Sequence, residues 1–465
     1  MITRIEIDGF KTFRSFQMEF SPLTAIAGTN ASGKSNLFDA LQLLSRLADT
    51  DLKKAFSEQR GDASELFTQY GEGNYAKDMY FAVEMLVHKE IQDNWGGKAV
   101  LKYTRLRYEL RIRREMNDRG LEDLVVIHEN LKNLKHEEDK WISKFIPRES
   151  RDSWRPKVYS GRRTKPYIKT EEVNGIITIK LPQDGTRGGK ETPANAIAQT
   201  VLSGINSVDF PHAFAAKEEM RSWKFLQLNP ENLRKPSPYL ATDEITQSGE
   251  NLAAALHRIK VTDEFALKDI SRKLNNLLPN FVEATVQDDK ANKQFIIKLK
   301  NEDGREFSSR VLSEGTLRLM ALCVFQFDEK HNSLLCFEEP ENGIHPGRME
   351  DLANLLLDLS VDFSNPDTPL RQVIVNTHSP VLLGKLFHVK TNTPTVTVWL
   401  SKLITSISEI GGKKLKLNIS KILPIEKDSS QLSLSFSESE RKLTIAQAKE
   451  YLQNVDSEML LQDWN

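Results

Sequence analysis

Gly28-Thr29-Asn30-Ala31-Ser32-Gly33-Lys34-Ser35 fits the phosphate-loop pattern in full. Leu23-Thr24-Ala25-Ile26-Ala27, just before it, reads as a buried strand. Leu37, Phe38, Leu41, Leu44 and Leu47, just after it, recur at the spacing of one helix face. Strand, loop and helix are the context this pattern needs. Backbone N–H groups of the loop can curl around a β-phosphate, and the helix N-terminus adds a favourable dipole. Lys34 reaches the β- and γ-phosphates, and Ser35 offers a hydroxyl to Mg²⁺. A chance Gly-rich turn is the plain alternative, and the flanking elements argue against it. Gly28, Asn30, Gly33, Lys34, Ser35 and Asn36 are therefore the candidate nucleotide contacts, with Ser35 also a candidate metal ligand.

Three further segments answer the loop. Leu334-Leu335-Cys336-Phe337-Glu338-Glu339-Pro340-Glu341 is an apolar strand whose carboxyl end carries adjacent acids. Open α/β sheets bind ligands beyond the carboxyl ends of their strands. Glu338 is placed to hold Mg²⁺, a role usually given to Asp, and Glu339 to orient or deprotonate an attacking water. The bland reading is a solvated acidic loop. Leu312-Ser313-Glu314-Gly315-Thr316 precedes the helical run Leu317, Leu319, Met320, Leu322. There Ser313 and Gly315, with the helix N-terminus behind them, can meet a γ-phosphate, although a Ser cap is common in any helix. After the strand Gln372-Val373-Ile374-Val375 comes Asn376-Thr377-His378-Ser379-Pro380. His378 there can donate to a γ-phosphate or to the attacking water, whereas a lone His is more often structural.

Composition sets the frame. With 465 residues, 39% of them hydrophobic, the chain can build a large core in one large or two to three ordinary domains. Its 64 Lys and Arg nearly cancel its 65 Asp and Glu, so any basic surface must be local. No apolar run reaches membrane-spanning length, and Met1 to Ile7 alternates like a strand, not like a signal peptide. This reads as a cytoplasmic protein with no membrane partner. Cys323 and Cys336 lie in apolar segments, which suits reduced core packing.

Strands are expected at 2–7, 80–87, 99–113, 294–299 and 395–400, and helices at 213–224, 262–278 and 346–360. In 99–113, Leu106, Tyr108, Leu110 and Ile112 alternate with Arg105, Arg107, Arg111 and Arg113. Pro147, Pro156, Pro166 and the Gly-rich 184–189 signal loops. The expected organisation is a discontinuous domain over 1–400, built from 1–115 and 220–400, with a loop-rich insertion at about 116–219. A C-terminal extension, 401–465, follows, in which no function is legible.

The order of these motifs resembles the ABC/SMC-like group of AAA-family ATPases, in particular compact RecF-like and overcoming-lysogenization-defect-type members. The most telling phrases are Phe337-Glu338-Glu339-Pro340-Glu341-Asn342-Gly343-Ile344-His345-Pro346 and Asn376-Thr377-His378-Ser379-Pro380. Trp223-Lys224-Phe225-Leu226-Gln227-Leu228-Asn229-Pro230 and Ser248-Gly249-Glu250-Asn251-Leu252 also look like this family. The resemblance implies an α/β fold: an ABC-type ATPase head with a mixed central sheet, a β-rich lobe and a helical insertion. It implies ATP and Mg²⁺ as ligands. It also implies a homodimer or higher oligomer with composite sites, in which Ser313 acts in trans on nucleotide held by Lys34. No sustained heptad run occurs between 230 and 305, so no long coiled coil is expected. Gln69 is a weak candidate for the glutamine that couples the site to the moving lobe.

Relatives of this kind work as ATP-driven switches or sensors in bacterial repair and antiphage defence. The overcoming-lysogenization-defect type appends a TOPRIM nuclease, but after residue 390 no Asp-x-Asp occurs. A separate effector, such as a TOPRIM-type nuclease, is thus expected. A self-contained nuclease and, less well matched, a transporter ATPase subunit are the alternatives. DNA is a further candidate partner. Residues 148–165 carry Arg148, Arg151, Arg155, Lys157, Arg162, Arg163 and Lys165 with Trp154 and Tyr159 interleaved. Such a segment suits phosphates and bases, or equally a solvated or protein-docking surface.

Overall fold

The computed structural model describes residues 1–71, 73–117, 120, 122–158, 165–173, 176–182, 189–193, 198–410, 413–425 and 437–453. A six-stranded sheet lies at its centre. The strand order is Lys224–Leu226, Leu334–Glu338, Gln372–Thr377, Leu23–Ala27, Val396–Ile410, Lys413–Pro424. The first five run parallel and the last returns antiparallel. Leu23–Ala27 and Gln372–Thr377 are buried at every position. Both faces of such strands are covered, which is why they read as unbroken apolar runs.

Alternation along these strands divides two cores. Ile26, Leu334, Cys336, Ile374 and Trp399 face the phosphate-loop helix Lys34–Leu47. Ala25, Ala27, Leu335, Phe337, Val373 and Val375 share the other core with the helices Glu314–Phe327 and Met349–Asp358. The phosphate-loop helix is covered in turn by a five-stranded antiparallel sheet, ordered Glu122–Asn133, Arg105–Met116, Asp78–Leu86, Ile2–Asp8, Phe16–Glu19. This is the mixed α/β head with a β-rich lobe. Among the described residues the longest helix, Glu438–Gln453, has 16 residues, so no long coiled coil is present. No helix there is long and apolar enough to cross a membrane.

Several boundaries differ from expectation. Glu122–Asn133 pairs along the whole of Arg105–Met116, so the β-rich lobe extends past 116. Its apolar residues, Leu124 to Ile127 and Leu131, do not alternate, which hid the strand. Within 116–219 the chain also forms a three-stranded sheet, Lys169–Val173, Ile176–Pro182 and Gly189–Pro193, and the helix Pro211–Arg221. The strand Val396–Ile410 runs straight through residue 400, and Lys413–Pro424 closes the central sheet. Residues 401–410 and 413–424 therefore belong to the central sheet. The stretch 99–113 divides between Lys98–Val100, paired with Glu90–Gln92, and Arg105–Met116. The helix expected at 262–278 is Glu264–Leu277, capped by the Asp263 side chain, and a further helix, Leu252–Thr262, precedes it.

The arginines of Arg105–Met116 have acidic partners. Arg105 is fully buried and forks onto Asp139. Arg107 meets Glu6, Glu84 and Glu109, while Arg113 meets Asp78. Cross-strand ion pairs of this kind stabilise the sheet and neutralise its positive face.

Candidate functional site

The phosphate loop leaves Leu23–Ala27 and enters Lys34–Leu47 through two positions where a side chain cannot stand. Gly28 has φ +151° and lies against the Ser401 carbonyl; Gly33 has φ +99° and lies against Ser420. Gly33 caps the helix in the left-handed region with no side-chain hydrogen bond, and the first turn holds no acid. Its amide N–H groups are thus left for an anion. Asn30 and Ser35 are exposed at the loop. Asn36 is turned aside: its Nδ2 donates to Thr12 Oγ1 at 2.8 Å, and Thr12 in turn meets Ser420 Oγ at 2.7 Å.

Lys34 is buried and folded back over its own loop. Its Nζ donates to the carbonyls of Gly28 at 2.6 Å and Thr29 at 2.9 Å. Burial lowers its pKa to about 8, against an opposing pull from Glu339. His378 Nδ1 lies 3.4 Å from Lys34 Nζ, and His378 Nε2 lies 3.3 Å from Glu339 Oε1. With an ammonium facing Nδ1, the consistent tautomer carries its proton on Nε2, on the side of Glu339. Three candidate residues distant in sequence, Lys34, His378 and Glu339, thereby form one continuous polar chain.

The carboxyl end of Leu334–Glu338 supplies the acids. Glu339 turns off the strand at φ +48°, a left-handed conformation that costs a non-glycine residue about 1–2 kcal/mol. The turn aims its carboxylate at His378, while Asn342 Nδ2 donates to its other oxygen at 2.7 Å. Glu338 points to the opposite face, beside the phosphate-loop helix. With Asp39, Gln42, Arg60, Gln227 and Gln247 it lines a cavity of about 20 Å³, room for a single water. Burial pushes the Glu338 pKa up; Arg60 opposes this, and Asp39 and Glu339 add to it. A cation beside Glu338 would relieve that cost. Among the described residues no three His, Cys, Asp or Glu side chains gather as a self-sufficient metal site. One carboxylate with a hydroxyl fits Mg²⁺, which takes its remaining ligands from phosphates and water.

Sequence reasoning missed several groups around this site. Glu341, although quoted in a motif, received no role. It is buried, and its Oε1 accepts from Thr377 Oγ1 at 2.5 Å and from the amides of His378 and Ser379 at 3.2 Å each. It fixes the backbone that carries the histidine. Gln227 directly follows Lys224–Leu226, the strand paired in parallel with Leu334–Glu338, and reaches the Glu338 cavity. Gln69 lies exposed in a small hairpin and lines no part of that cavity. Parallel pairing with the acidic strand was the signal that separates the two, and only the sheet order reveals it.

Ser313 and Gly315 stand apart. Ser313 is exposed and caps Glu314–Phe327 through its own Thr316 amide at 3.2 Å. Gly315 packs on the Gly343 carbonyl, where a Cβ would come within 2.5 Å. Among the described residues no hydrogen bond joins either one to the phosphate loop of the same chain. The basic segment after 147 is largely engaged internally. Arg151 donates to the carbonyls of Ile146 and Ser143, Arg155 is buried on Asp139, and Lys157 pairs with Asp152. Trp154 packs edge-on against Phe363 at 5.1 Å. Tyr159, Arg162 and Arg163 lie outside the described residues.

A family model described as "AAA domain, putative AbiEii toxin, Type IV TA system" matches residues 23–384, from the strand before the phosphate loop to beyond His378. The chain belongs to this family. It carries an AAA domain. None of the curated proteins matches it. Solved structures similar to this ATPase include an SMC head domain from Thermotoga maritima, 15% identical, with 91% of this chain and 99% of that one covered at a TM-score of 0.36. Another is an SmcHead bound to the C-winged helix domain of ScpA, 16% identical, covering 92% and 98% at 0.45. A third is an Smc head with an extended coiled coil bound to the C-terminal domain of ScpA, derived from Pyrococcus furiosus, 15% identical, covering 97% and 99% at 0.40.

Proposed function

We propose that this ATPase binds and hydrolyses Mg-ATP as a dimeric switch or sensor in the cytoplasm and passes its state to a separate effector. The observation that carries the reading is the chain Lys34, His378, Glu339, which brings a phosphate-binding cation, a hydrogen-bond donor and a candidate base together from three segments. Loop amides from Gly28 to Ser35 cradle the phosphates. Asn30 borders them, and Asn36 steadies the loop through Thr12 instead of touching nucleotide. Lys34 leaves the carbonyls of Gly28 and Thr29 for the β- and γ-phosphates, a stronger partner for a partly desolvated ammonium. Ser35 and Glu338 are the residues that would hold Mg²⁺, which neutralises charge developing between the phosphates.

Once Lys34 has moved, His378 is released toward the γ-phosphate, and Glu339 accepts a proton from the attacking water. Gln227, in the place first given to Gln69, links the Glu338 cavity to the edge of the central sheet. Ser313, exposed and without a hydrogen bond to its own loop, is supplied with Gly315 to the site of a second copy. Antiphage defence suits the family description, which names a toxin of a toxin–antitoxin system; DNA repair is the second setting. DNA and a TOPRIM-type nuclease are the proposed classes of partner.

The test uses the purified chain. It should hydrolyse ATP in a Lys34-dependent manner and leave plasmid and linear DNA uncut with Mg²⁺ or Mn²⁺. Cleavage that persists in Lys34→Ala and is lost on changing a residue outside the ATP site would overturn the separate effector.

A further inference from the structure

The carbonyl of His378 lies one residue before Ser379, the cap of the helix Pro380–Asn392. The Ser379 carbonyl takes the first helical bond, from the Leu383 amide at 3.0 Å, so the His378 carbonyl falls just outside the helix and receives no helical N–H. Its donor comes from the far end of the chain: Tyr451 Oη donates to it at 2.7 Å. We infer that Tyr451 is a positioning residue for His378, and that the tail helix Glu438–Gln453 holds the switch histidine from behind. This inference rests on the ATPase reading above.

The histidine backbone is then gripped from two sides. Glu341 accepts its N–H at 3.2 Å, and Tyr451 donates to its carbonyl. An imidazole that must face Lys34 with one nitrogen and Glu339 with the other tolerates little rotation, and catalytic groups need placement within about 0.5 Å. The strut itself is anchored. Ala448 and Leu452 are buried in the core that also holds Leu382, Leu383 and Leu386 of the switch helix. Lys421 pairs with Glu440 at 2.7 Å, tying the tail helix to the last strand of the central sheet. That hairpin also braces the phosphate loop: Ser401 Oγ donates to the Ser32 carbonyl at 2.9 Å, and the Ser420 amide donates to the Thr12 carbonyl at 3.0 Å. Burial, and Glu341 nearby, push the Tyr451 hydroxyl up to about 12, so it remains a donor through any assay range. All of these tail residues lie beyond 384, where the family match ends.

The test is a double-mutant cycle on the full chain. Tyr451→Phe keeps the packed ring and removes only the donor. It should lower kcat about tenfold, within the range for a misplaced catalytic group, and leave KM and the Kd for a non-hydrolysable ATP analogue within twofold. In a His378→Ala background the same substitution should change kcat less than twofold, because nothing remains to be positioned. An unchanged kcat in Tyr451→Phe overturns the assignment. So do equal losses in both backgrounds, the pattern of a merely weakened fold. Wild-type turnover that survives Lys34→Ala overturns the ATPase reading itself, and is recognised before Tyr451 is changed.

Discussion

On the proposed reading, Lys34 makes nucleotide binding a proton-linked event. In the ligand-free site its pKa is lowered to about 8 by burial, whereas adjacent phosphates favour the ammonium and raise it. Binding therefore takes up a proton wherever the free lysine is neutral. Affinity is complete below about pH 8 and falls as pH rises through that value. With a free pKa near 8 and a bound lysine that stays charged, the Kd should rise about tenfold between pH 7 and 9. Uptake at pH 8.5 should be about 0.8 proton per site on the same basis. A terminal phosphate ionises near pH ~6, so the nucleotide itself contributes little above 8. The assay is calorimetric titration of a non-hydrolysable ATP analogue with Mg²⁺ in buffers of different ionisation enthalpy. Lys34→Arg, charged at every pH used, should bind with a flat profile. A wild-type Kd that is constant from pH 7 to 9, with no proton uptake, would refute the argument that Lys34 rests desolvated and meets the phosphates as a cation.

Glu339→Gln should bind the ATP analogue normally and lose about a hundredfold or more in kcat, the usual cost of a positioned base; if Glu338→Gln alone stops turnover and Glu339→Gln does not, their roles are reversed. Mixing inactive Lys34→Ala with inactive Ser313→Arg should restore part of the activity, because a two-site dimer then contains one doubly damaged and one intact composite site. Absence of recovery in verified heterodimers would count against independent sites completed in trans. Glu341→Ala leaves the Thr377 hydroxyl and the His378 amide without their acceptor, while the Ser379 amide keeps Thr377 Oγ1 at 2.9 Å, and should lower unfolding stability by about 1–3 kcal/mol, measured by denaturant titration. A stability unchanged within error would show that the amides find another partner and that Glu341 does not fix the His378 backbone.

What the sequence made legible was local. The phosphate loop is one contiguous segment whose strand, glycines and helix explain one another, and the acidic strand ends where its apolar run ends. Contacts between distant segments were not legible. Gln227 is set apart by the strand it follows, which counts because it pairs with Leu334–Glu338 across more than a hundred intervening residues, whereas Gln69 begins a small exposed hairpin. The arginines of Arg105–Met116 looked like a basic face because Glu6, Glu84 and Asp78 lie on other strands. The tail showed no pattern for the same reason. Tyr451 and Ser420 are ordinary residues until the central sheet places one behind His378 and the other against Gly33.

The same geometry constrains how ATP could act at a distance. In the structure Lys34 bonds its own loop and faces His378, and His378 faces Glu339, so the groups of the proposed site meet one another. A nucleotide that claims Lys34 frees both of the others together. A ligand shifts an equilibrium only by its differential affinity for the two states. The useful difference here is between a latched His378 and a released one, and the histidine lies on the turn that begins the helix Pro380–Asn392. That helix shares its core with the tail helix Glu438–Gln453. A partner that gripped the tail helix differently in the two states would feel the nucleotide through Tyr451, and by reciprocity would alter ATP affinity by the same factor. An effector that changed turnover without changing nucleotide affinity would have to act by another route, such as bringing Ser313 of a second copy onto the phosphate already held by Lys34.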